Sequence, residues 1–298
     1  MKKILLLMAL LLPLAVLTSC NKDDDEDDIV EEYAVINDVE KSGDHYTDGV
    51  LRYSVNKNDE ATVLGLVSET AEVKMPSALR FGGKIIKVVA VEASAFSGEN
   101  GLVSVKVGDK VKSIRDRAFC RCPNLRSAEI PESVVSIGVS AFTNCEQLET
   151  VEIEGGALDA IGNGVFYGCK SLKEVTVPDG VTSIGTGAFS DCTALSDVSL
   201  PIGLETIGKG AFSGCTALAQ VKLPYGLLEI GDEAFSDCAA LAHIYDMAFV
   251  PQTLGRDVFT RIAPGAVLHV KKKYLKDYSE NEAFYSYFGK NIVGDAKE

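Results

Sequence analysis

Hydrophobic positions recur along the middle of the chain with a period of 23 or 24 residues. The repeated order is Ile-Gly-x-x-Ala-Phe-x-x-Cys-x-x-Leu-x-x-Val-x-Leu-Pro, which runs from Ile184 and returns almost unchanged from Ile207. Self-similarity at 20 to 50 residues is typical of stacked structural repeats. We therefore predict a solenoid of about eight coils, each marked by one phenylalanine: Phe96, Phe119, Phe142, Phe166, Phe189, Phe212, Phe235 and Phe259.

The Leu-x-x-Val-x-Leu part of each unit predicts one short strand, because apolar residues two apart point to the same face. Stacked copies of this strand would form a parallel sheet with a rise of about 4.8 Å per coil. Proline cannot donate a ladder hydrogen bond, so it should end the strand. It stands twelve residues after the phenylalanine at Pro131, Pro178, Pro201 and Pro224. We place this array at residues 88–270, with the phenylalanines stacked as a spine.

Glycine recurs four residues before the phenylalanine, at Gly138, Gly162, Gly185, Gly208 and Gly231. Two causes remain open, a bend that needs a positive φ or a close approach of backbone. Two of the units carry one extra residue, which we expect to loop out. Gly155 and Gly156 mark one of these units.

The segments beside the array lack the repeat and are predicted to cover its ends. Residues 33–87 read as a β-rich cap, with a hairpin of 50–55 and 61–67 around an Asn/Asp cluster. A separate binding module is the alternative for this segment. Residues 271–298 read as a helical cap, because Leu275, Tyr278, Phe284, Tyr287 and Phe288 are spaced for one helical face. Lys271 to Lys273 are either solvated or a cationic patch for an acidic partner.

The first 32 residues predict export. Lys2 and Lys3 precede an apolar run from Ile4 to Leu17 that is too short to span a membrane, so we assign 1–19 as a signal peptide. The sequence Leu17-Thr18-Ser19-Cys20 resembles the lipobox of bacterial lipoproteins, which implies lipidation of Cys20. An ordinary secreted protein cleaved nearby is the alternative. The acidic run within 20–32 predicts a solvated tether and resembles the segment that directs lipoproteins of Bacteroides-type bacteria to the cell surface. A calcium site is less favoured there, because the run lacks spaced ligands.

Seven cysteines follow Cys20, and six of them stand three residues after a phenylalanine. A row of buried thiols is the simplest interpretation. Disulfides between neighbouring coils are the main alternative, because equivalent positions lie close together. A metal site is least favoured, since one ligand per coil does not surround a point. The seven are Cys120, Cys122, Cys145, Cys169, Cys192, Cys215 and Cys238.

Charge and motifs exclude several kinds of function. A formal net charge of −14 argues against nucleic acid binding, which needs clustered Lys and Arg. The chain has no phosphate-binding loop, nucleophile elbow or His-Glu zinc motif, so we expect no enzyme, cofactor or metal. His243 and His269 fall at outward positions of adjacent coils, where a weak metal or proton site is the alternative to two solvated side chains.

The repeat resembles the BspA-like leucine-rich repeats of bacterial surface lipoproteins of the Bacteroides type, over about 180 residues. The resemblance implies a right-handed leucine-rich-repeat solenoid and a non-catalytic adhesion role in the outer membrane, exposed at the cell surface. The membrane contact would be the lipid on Cys20 alone. The implied partner is a host or bacterial surface protein.

The stacked strands offer the predicted binding surface, since broad sheets are the usual ligand surfaces of solenoids. A carbohydrate-binding accessory of an outer-membrane glycan uptake system is the alternative, although Tyr245 is the one aromatic residue on that surface. The candidate residues are Glu129, Thr150, Glu152, Glu174, Thr176, Asp197, Ser199, Gln220, Lys222, His243 and Tyr245.

Overall fold

A computed structural model describes residues 35–37 and 39–296. The predicted signal peptide, the lipidation site Cys20 and the acidic tether lie outside these residues. Within the described part of the chain, no helix is both long and apolar enough to cross a lipid bilayer.

Eight strands, numbered in chain order, precede the first phenylalanine of the repeat. Strands β4 and β5 form the predicted antiparallel hairpin, which turns through Asp59 at φ +55°. Seven of the eight pair in the order β1-β7-β8-β5-β4-β3-β2, and β8 continues into the solenoid by pairing with the next coil. The eight are β1 (Val35–Ile36), β2 (Glu40–Ser42), β3 (His45–Thr47), β4 (Leu51–Val55), β5 (Glu60–Leu66), β6 (Glu72–Lys74), β7 (Ala78–Phe81) and β8 (Lys84–Val91).

The predicted strand appears once per coil, and these strands stack in parallel as a first ladder. The ladder extends beyond the repeat at both ends, because β6 pairs with its first strand and β24 with its last. Ten strands, and so about ten turns, take part. They are β6, β9 (Ser104–Lys106), β11 (Ser127–Ile130), β13 (Thr150–Ile153), β15 (Glu174–Thr176), β17 (Asp197–Ser199), β19 (Gln220–Leu223), β21 (His243–Asp246), β23 (Val267–Val270) and β24 (Ile292–Val293).

Each coil also contains a second, two-residue strand, which in most coils ends at the isoleucine before the repeated glycine. These strands form a second parallel ladder that starts from β8. The repeat pattern does not predict it, because two residues are too few for a hydrophobic period. Its members are β10 (Ser113–Ile114), β12 (Ser136–Ile137), β14 (Ala160–Ile161), β16 (Ser183–Ile184), β18 (Thr206–Ile207), β20 (Glu229–Ile230) and β22 (Thr253–Leu254).

The third side of each coil is a turn centred on the phenylalanine, which we call the turn wall and define as the residues from two before to two after it. In Phe189's coil, for example, the amides of Gly187, Phe189 and Asp191 donate to carbonyls of the next coil at 2.8 Å each. The phenylalanine rings stack inside with centroids 5.0–5.6 Å apart and planes within 16° of parallel. The predicted spine is confirmed, and it is continuous with one buried core.

The repeated glycines serve close approach rather than a positive φ. A Cβ atom built on Gly208 would lie 2.8 Å from the carbonyl carbon of Gly185, and no side chain fits that space. Positive φ occurs instead two residues before and two residues after the phenylalanine, as at Gly187 (+61°) and Asp191 (+58°). Those positions accept residues other than glycine, so no glycine repeat marks them in the sequence.

The 24-residue coil around Gly155 and Gly156 interrupts both ladders. Strand β13 packs beside β15, but the ladder pairs resume only between β15 and β17, and the second ladder stops at β12 and resumes at β14. The first ladder is interrupted again between β17 and β19. The spine crosses the insertion, since the rings of Phe142 and Phe166 remain 5.5 Å apart. The turn wall therefore keeps the coils in register where the sheets do not.

The carboxyl-terminal segment is helical, as predicted. Helices α1 (Leu275–Glu280) and α2 (Glu282–Phe288) are joined at Asn281, whose side chain accepts hydrogen bonds from the first amides of α2. Short 3-10 turns at Lys272–Tyr274 and Gly289–Asn291 flank them. Tyr278, Phe284 and Phe288 are buried, and the Phe288 ring lies 5.2 Å from that of Phe259. The helices therefore cover the last ring of the spine.

The seven described cysteines are buried free thiols, which confirms the simplest interpretation over disulfides. Six of them point along the solenoid axis. Cys192 Sγ, for example, donates to the carbonyl oxygen of Phe166 in the preceding coil at 3.2 Å. Burial raises the pKa of the Cys192 thiol to about 12. The same bond spans 3.0–3.3 Å in all six coils.

Candidate binding face

The outward side of the first ladder, from β11 to β21, carries all eleven predicted residues, and we call it the strand face. Along each strand, exposed residues alternate with a buried one, as in Asp197-Val198-Ser199. Ten of the eleven side chains are exposed and Tyr245 is half-buried. The ladder sets them in rows, since Glu129 is opposite Glu152 and Glu174 is opposite Asp197.

The middle of the strand face is acidic. A depression of about 390 Å³ is lined by four carboxylates, which belong to Glu152, Glu154, Glu174 and Asp197. In the described part of the chain, Glu152, Glu174 and Asp197 form no ion pair. By contrast, Glu129 at the amino-terminal end is paired with Lys106 at 2.8 Å. Like charges opposite each other destabilise a sheet, so this arrangement favours a cation from outside.

The carboxyl-terminal end of the strand face holds a chain of hydrogen bonds between titratable groups. His243 Nδ1 lies 3.0 Å from His269 Nε2, and His269 Nδ1 lies 2.7 Å from Asp295 Oδ1. The Tyr245 ring stacks on His269 with centroids 4.5 Å apart. The two histidines are thus partners of each other and of the carboxyl-terminal segment rather than separate solvated residues. Among the described residues, no group of three or more His, Cys, Asp or Glu is arranged to hold a metal ion.

An aromatic cluster beside this end was not predicted. The Tyr225 and Phe249 rings are 5.6 Å apart, the Phe249 and Tyr274 rings are 6.0 Å apart, and Phe249 is 52% exposed. Lys271 Nζ lies 4.5 Å from the Tyr225 ring and 3.3 Å from its hydroxyl, and Lys273 Nζ lies 4.6 Å from the Tyr274 ring. These two lysines therefore contact rings. One feature of the sequence could have indicated this cluster. Tyr225, an aromatic residue, directly follows the strand-ending Pro224.

A buried carboxyl group holds the loop that carries Phe249. Asp246 Oδ1 accepts hydrogen bonds from the Ala248 amide at 3.0 Å and from Gln252 Nε2 at 2.8 Å. The Tyr278 hydroxyl donates to the Val250 carbonyl at 3.2 Å. Burial raises the pKa of the Asp246 carboxyl to about 6. Within the described residues, Asp246 Oδ2 and Gln252 Oε1 have no hydrogen-bond partner.

Two ladders, a ring spine and a row of thiols repeated coil by coil define a leucine-rich-repeat solenoid that presents a long polar face. The BspA type leucine rich repeat region matches residues 85–158 and 156–262 in six copies. The chain belongs to this family. Membership is consistent with a non-catalytic repeat protein.

Solved structures of bacterial repeat proteins resemble this chain. A leucine rich cell surface protein from Faecalibacterium prausnitzii is 32% identical over 69% of this chain and 55% of its own, with a TM-score of 0.58. A leucine-rich repeat protein from Bacteroides ovatus is 29% identical over 76% of this chain and 64% of its own, with a TM-score of 0.63. This chain thus spans less than two thirds of either protein. A search of curated proteins found no match.

Proposed function

We propose that this protein is a non-catalytic binding protein of the bacterial cell surface whose strand face docks a protein partner with a basic surface. The observation that carries the proposal is the depression lined by Glu152, Glu154, Glu174 and Asp197. Unpaired carboxylates stacked coil on coil repel one another, and a partner that supplies Lys or Arg relieves that repulsion. The similarity to a protein described as a leucine rich cell surface protein supports the surface location.

The test is capture of extracellular matrix and bacterial surface proteins by residues 33–298, the compact unit that contains every element described. The test variant carries Glu152→Lys, Glu174→Lys and Asp197→Lys. We expect it to lose the captured partner, and we expect wild-type capture to fall steeply as salt rises, because complementary charges are screened.

The matched control changes three exposed acids outside the strand face to lysine, namely Asp159, Glu205 and Glu229. This control alters net charge by the same amount and should keep its capture. If both variants capture every partner as well as wild type does, the strand face is not the docking surface.

Glycan binding is the second candidate, because exposed rings next to polar groups suit sugar faces. The cluster of Tyr225, Phe249 and Tyr274 is the observation that favours it. On a glycan array, Phe249→Ala should abolish a sugar signal that the three-lysine variant keeps. A signal lost only in the three-lysine variant contradicts this candidate.

We also propose that Cys20 is lipidated and anchors the protein in the outer membrane facing outward. The lipobox-like sequence and the surface description of a relative support this. Cells fed a clickable fatty acid should label the wild-type protein and not Cys20→Ala, and external protease should remove the protein from intact cells. Equal labelling of the two proteins, or resistance to protease, contradicts the respective half of the proposal.

A further inference from the structure

In one coil the turn wall carries two positive side chains at its left-handed backbone positions. Arg117 and Arg121 flank Phe119 at φ +56° and +58°, and both are exposed. Left-handed backbone costs an L-residue about 1–2 kcal/mol. Glycine takes the position of Arg117 in other coils, at Gly187 and Gly210 for example. The same positions have a positive φ in the next coil, at Ser140 and Asn144, so the two charges and not the backbone distinguish the coil of Phe119.

A cavity of about 470 Å³ opens between the coils at these two arginines. Ser94 lines it from the preceding coil, and Ser140 and Asn144 line it from the following coil. The hydroxyls of Ser94 and Ser140 and the side-chain amide of Asn144 have no hydrogen-bond partner among the described residues. The cavity therefore presents two guanidinium groups together with three unused neutral donors.

The two arginines differ from the arginine at the same place in the last coil of the repeat. The equivalent position of the last coil holds Arg261, whose Nη2 donates to Asp237 Oδ2 at 2.7 Å, because the coil before it supplies that carboxylate. The corresponding neighbours of Arg121 are Gly98 and Asn144. In the described part of the chain, neither Arg117 nor Arg121 forms an ion pair, although the whole protein has a net charge of −14.

The two arginines also influence Cys120, which lines the cavity. Cys120 lies there with 8% of its surface exposed. Burial raises the pKa of the Cys120 thiol, and Arg121 and Arg117 act in the opposite direction. Both guanidinium groups therefore lie close enough to the cavity to stabilise a negative charge inside it.

We propose that this cavity binds a tetrahedral oxyanion, the sulfate or phosphate ester group of a small ligand, between Arg117 and Arg121. The planar guanidinium fork donates two parallel hydrogen bonds to such a group, and charge-assisted bonds are the strong ones. The Ser94 and Ser140 hydroxyls complete the donor set. This site is formed by the turn wall and is independent of the strand face.

The test is calorimetric titration of residues 33–298 with glucose 6-sulfate and glucose 6-phosphate, with glucose as the uncharged parent, at constant ionic strength. We expect the charged sugars to bind and glucose not to bind. The charged sugar with the higher affinity shows whether the cavity prefers a sulfate ester or a phosphate ester. Absence of binding by both charged sugars, or equal binding by glucose, overturns the proposal.

Glycine variants separate binding from folding, because glycine suits a positive φ. Arg117→Gly and Arg121→Gly should each weaken binding at least about tenfold, and the double variant should abolish it, with melting temperatures no lower than wild type. Arg261→Gly is the matched control, since it removes the same charge from the same kind of position at φ +55°. It should change affinity less than about twofold. Binding that survives in the double variant, or falls equally in the control, overturns the proposal.

Discussion

The buried carboxyl group of Asp246 makes the stability of the protein depend on pH in a direction that one substitution tests. Burial raises the pKa of this group from 3.8 to about 6, so the folded state holds the proton more tightly than the unfolded chain does. The resulting stabilisation is fully present below pH 3.8 and is lost as the pH rises through 6. Above pH 7 the loss is about 3 kcal/mol, from about 1.4 kcal/mol per pKa unit.

The substitution Asp246→Asn removes the titration and keeps the shape. The amide oxygen can accept the same two hydrogen bonds from Ala248 and Gln252. Its NH₂ group replaces Oδ2, which has no partner among the described residues. We expect the variant to be more stable than wild type at pH 7.5 by about 1–3 kcal/mol, and its advantage to shrink by about 2 kcal/mol at pH 4.5.

Urea unfolding at the two pH values measures the effect, followed by far-ultraviolet circular dichroism because the chain has no tryptophan. Asp197→Asn is the control, since it removes an exposed carboxylate from the strand face. Its effect on stability should be smaller than that of Asp246→Asn, because the Asp197 side chain is exposed. A difference between Asp246→Asn and wild type that is identical at pH 4.5 and pH 7.5 refutes the reasoning.

Three further predictions concern the repeated interior. Phe189→Ala should lower the free energy of unfolding by about 3–5 kcal/mol in urea denaturation, because it opens a gap between two stacked rings; a loss below about 1 kcal/mol contradicts a continuous spine. Gly208→Ala should destabilise more than Gly210→Ala, since the new methyl group meets backbone at 2.8 Å in the first case and meets no atom closer than 3.8 Å in the second; the reverse order refutes the assignment of close approach. The six cysteines that bond to the preceding coil should react with a thiol reagent only after unfolding, as burial raises the pKa of Cys192 to about 12; rapid labelling of these six in the native protein contradicts the buried row.

The features predictable from the sequence are those that repeat with a fixed residue type. The spine is visible because phenylalanine is the residue that fills the space between coils, and the thiol row because cysteine is small enough to reach the preceding carbonyl. The outward residues of the strand face follow from the period of two along each strand. The sequence of a single unit is therefore enough to predict which residues of each strand point outward.

Other features could not be predicted, because no residue type marks them. The left-handed positions of the turn wall hold Arg121 in one coil, Asn144 in the next and Asp191 in another. The second ladder has two residues per coil, and its interruption at the Gly155–Gly156 insertion depends on how the extra residue is placed. The aromatic cluster combines Tyr225 with Tyr274 across 49 positions of sequence, and only the folded chain brings them together.

The rings of neighbouring coils stack in the same way along the whole spine, and in six of the coils the thiol also bonds to the preceding coil in the same way. A gene segment encoding one 23-residue unit can therefore be duplicated or lost by unequal recombination without breaking any contact type. The units that begin at Ile184 and Ile207 are identical at 15 of 23 positions, as expected of copies that have since diverged. The protein can in this way lengthen or shorten its outer surface by one row of side chains at a time while its interior stays the same.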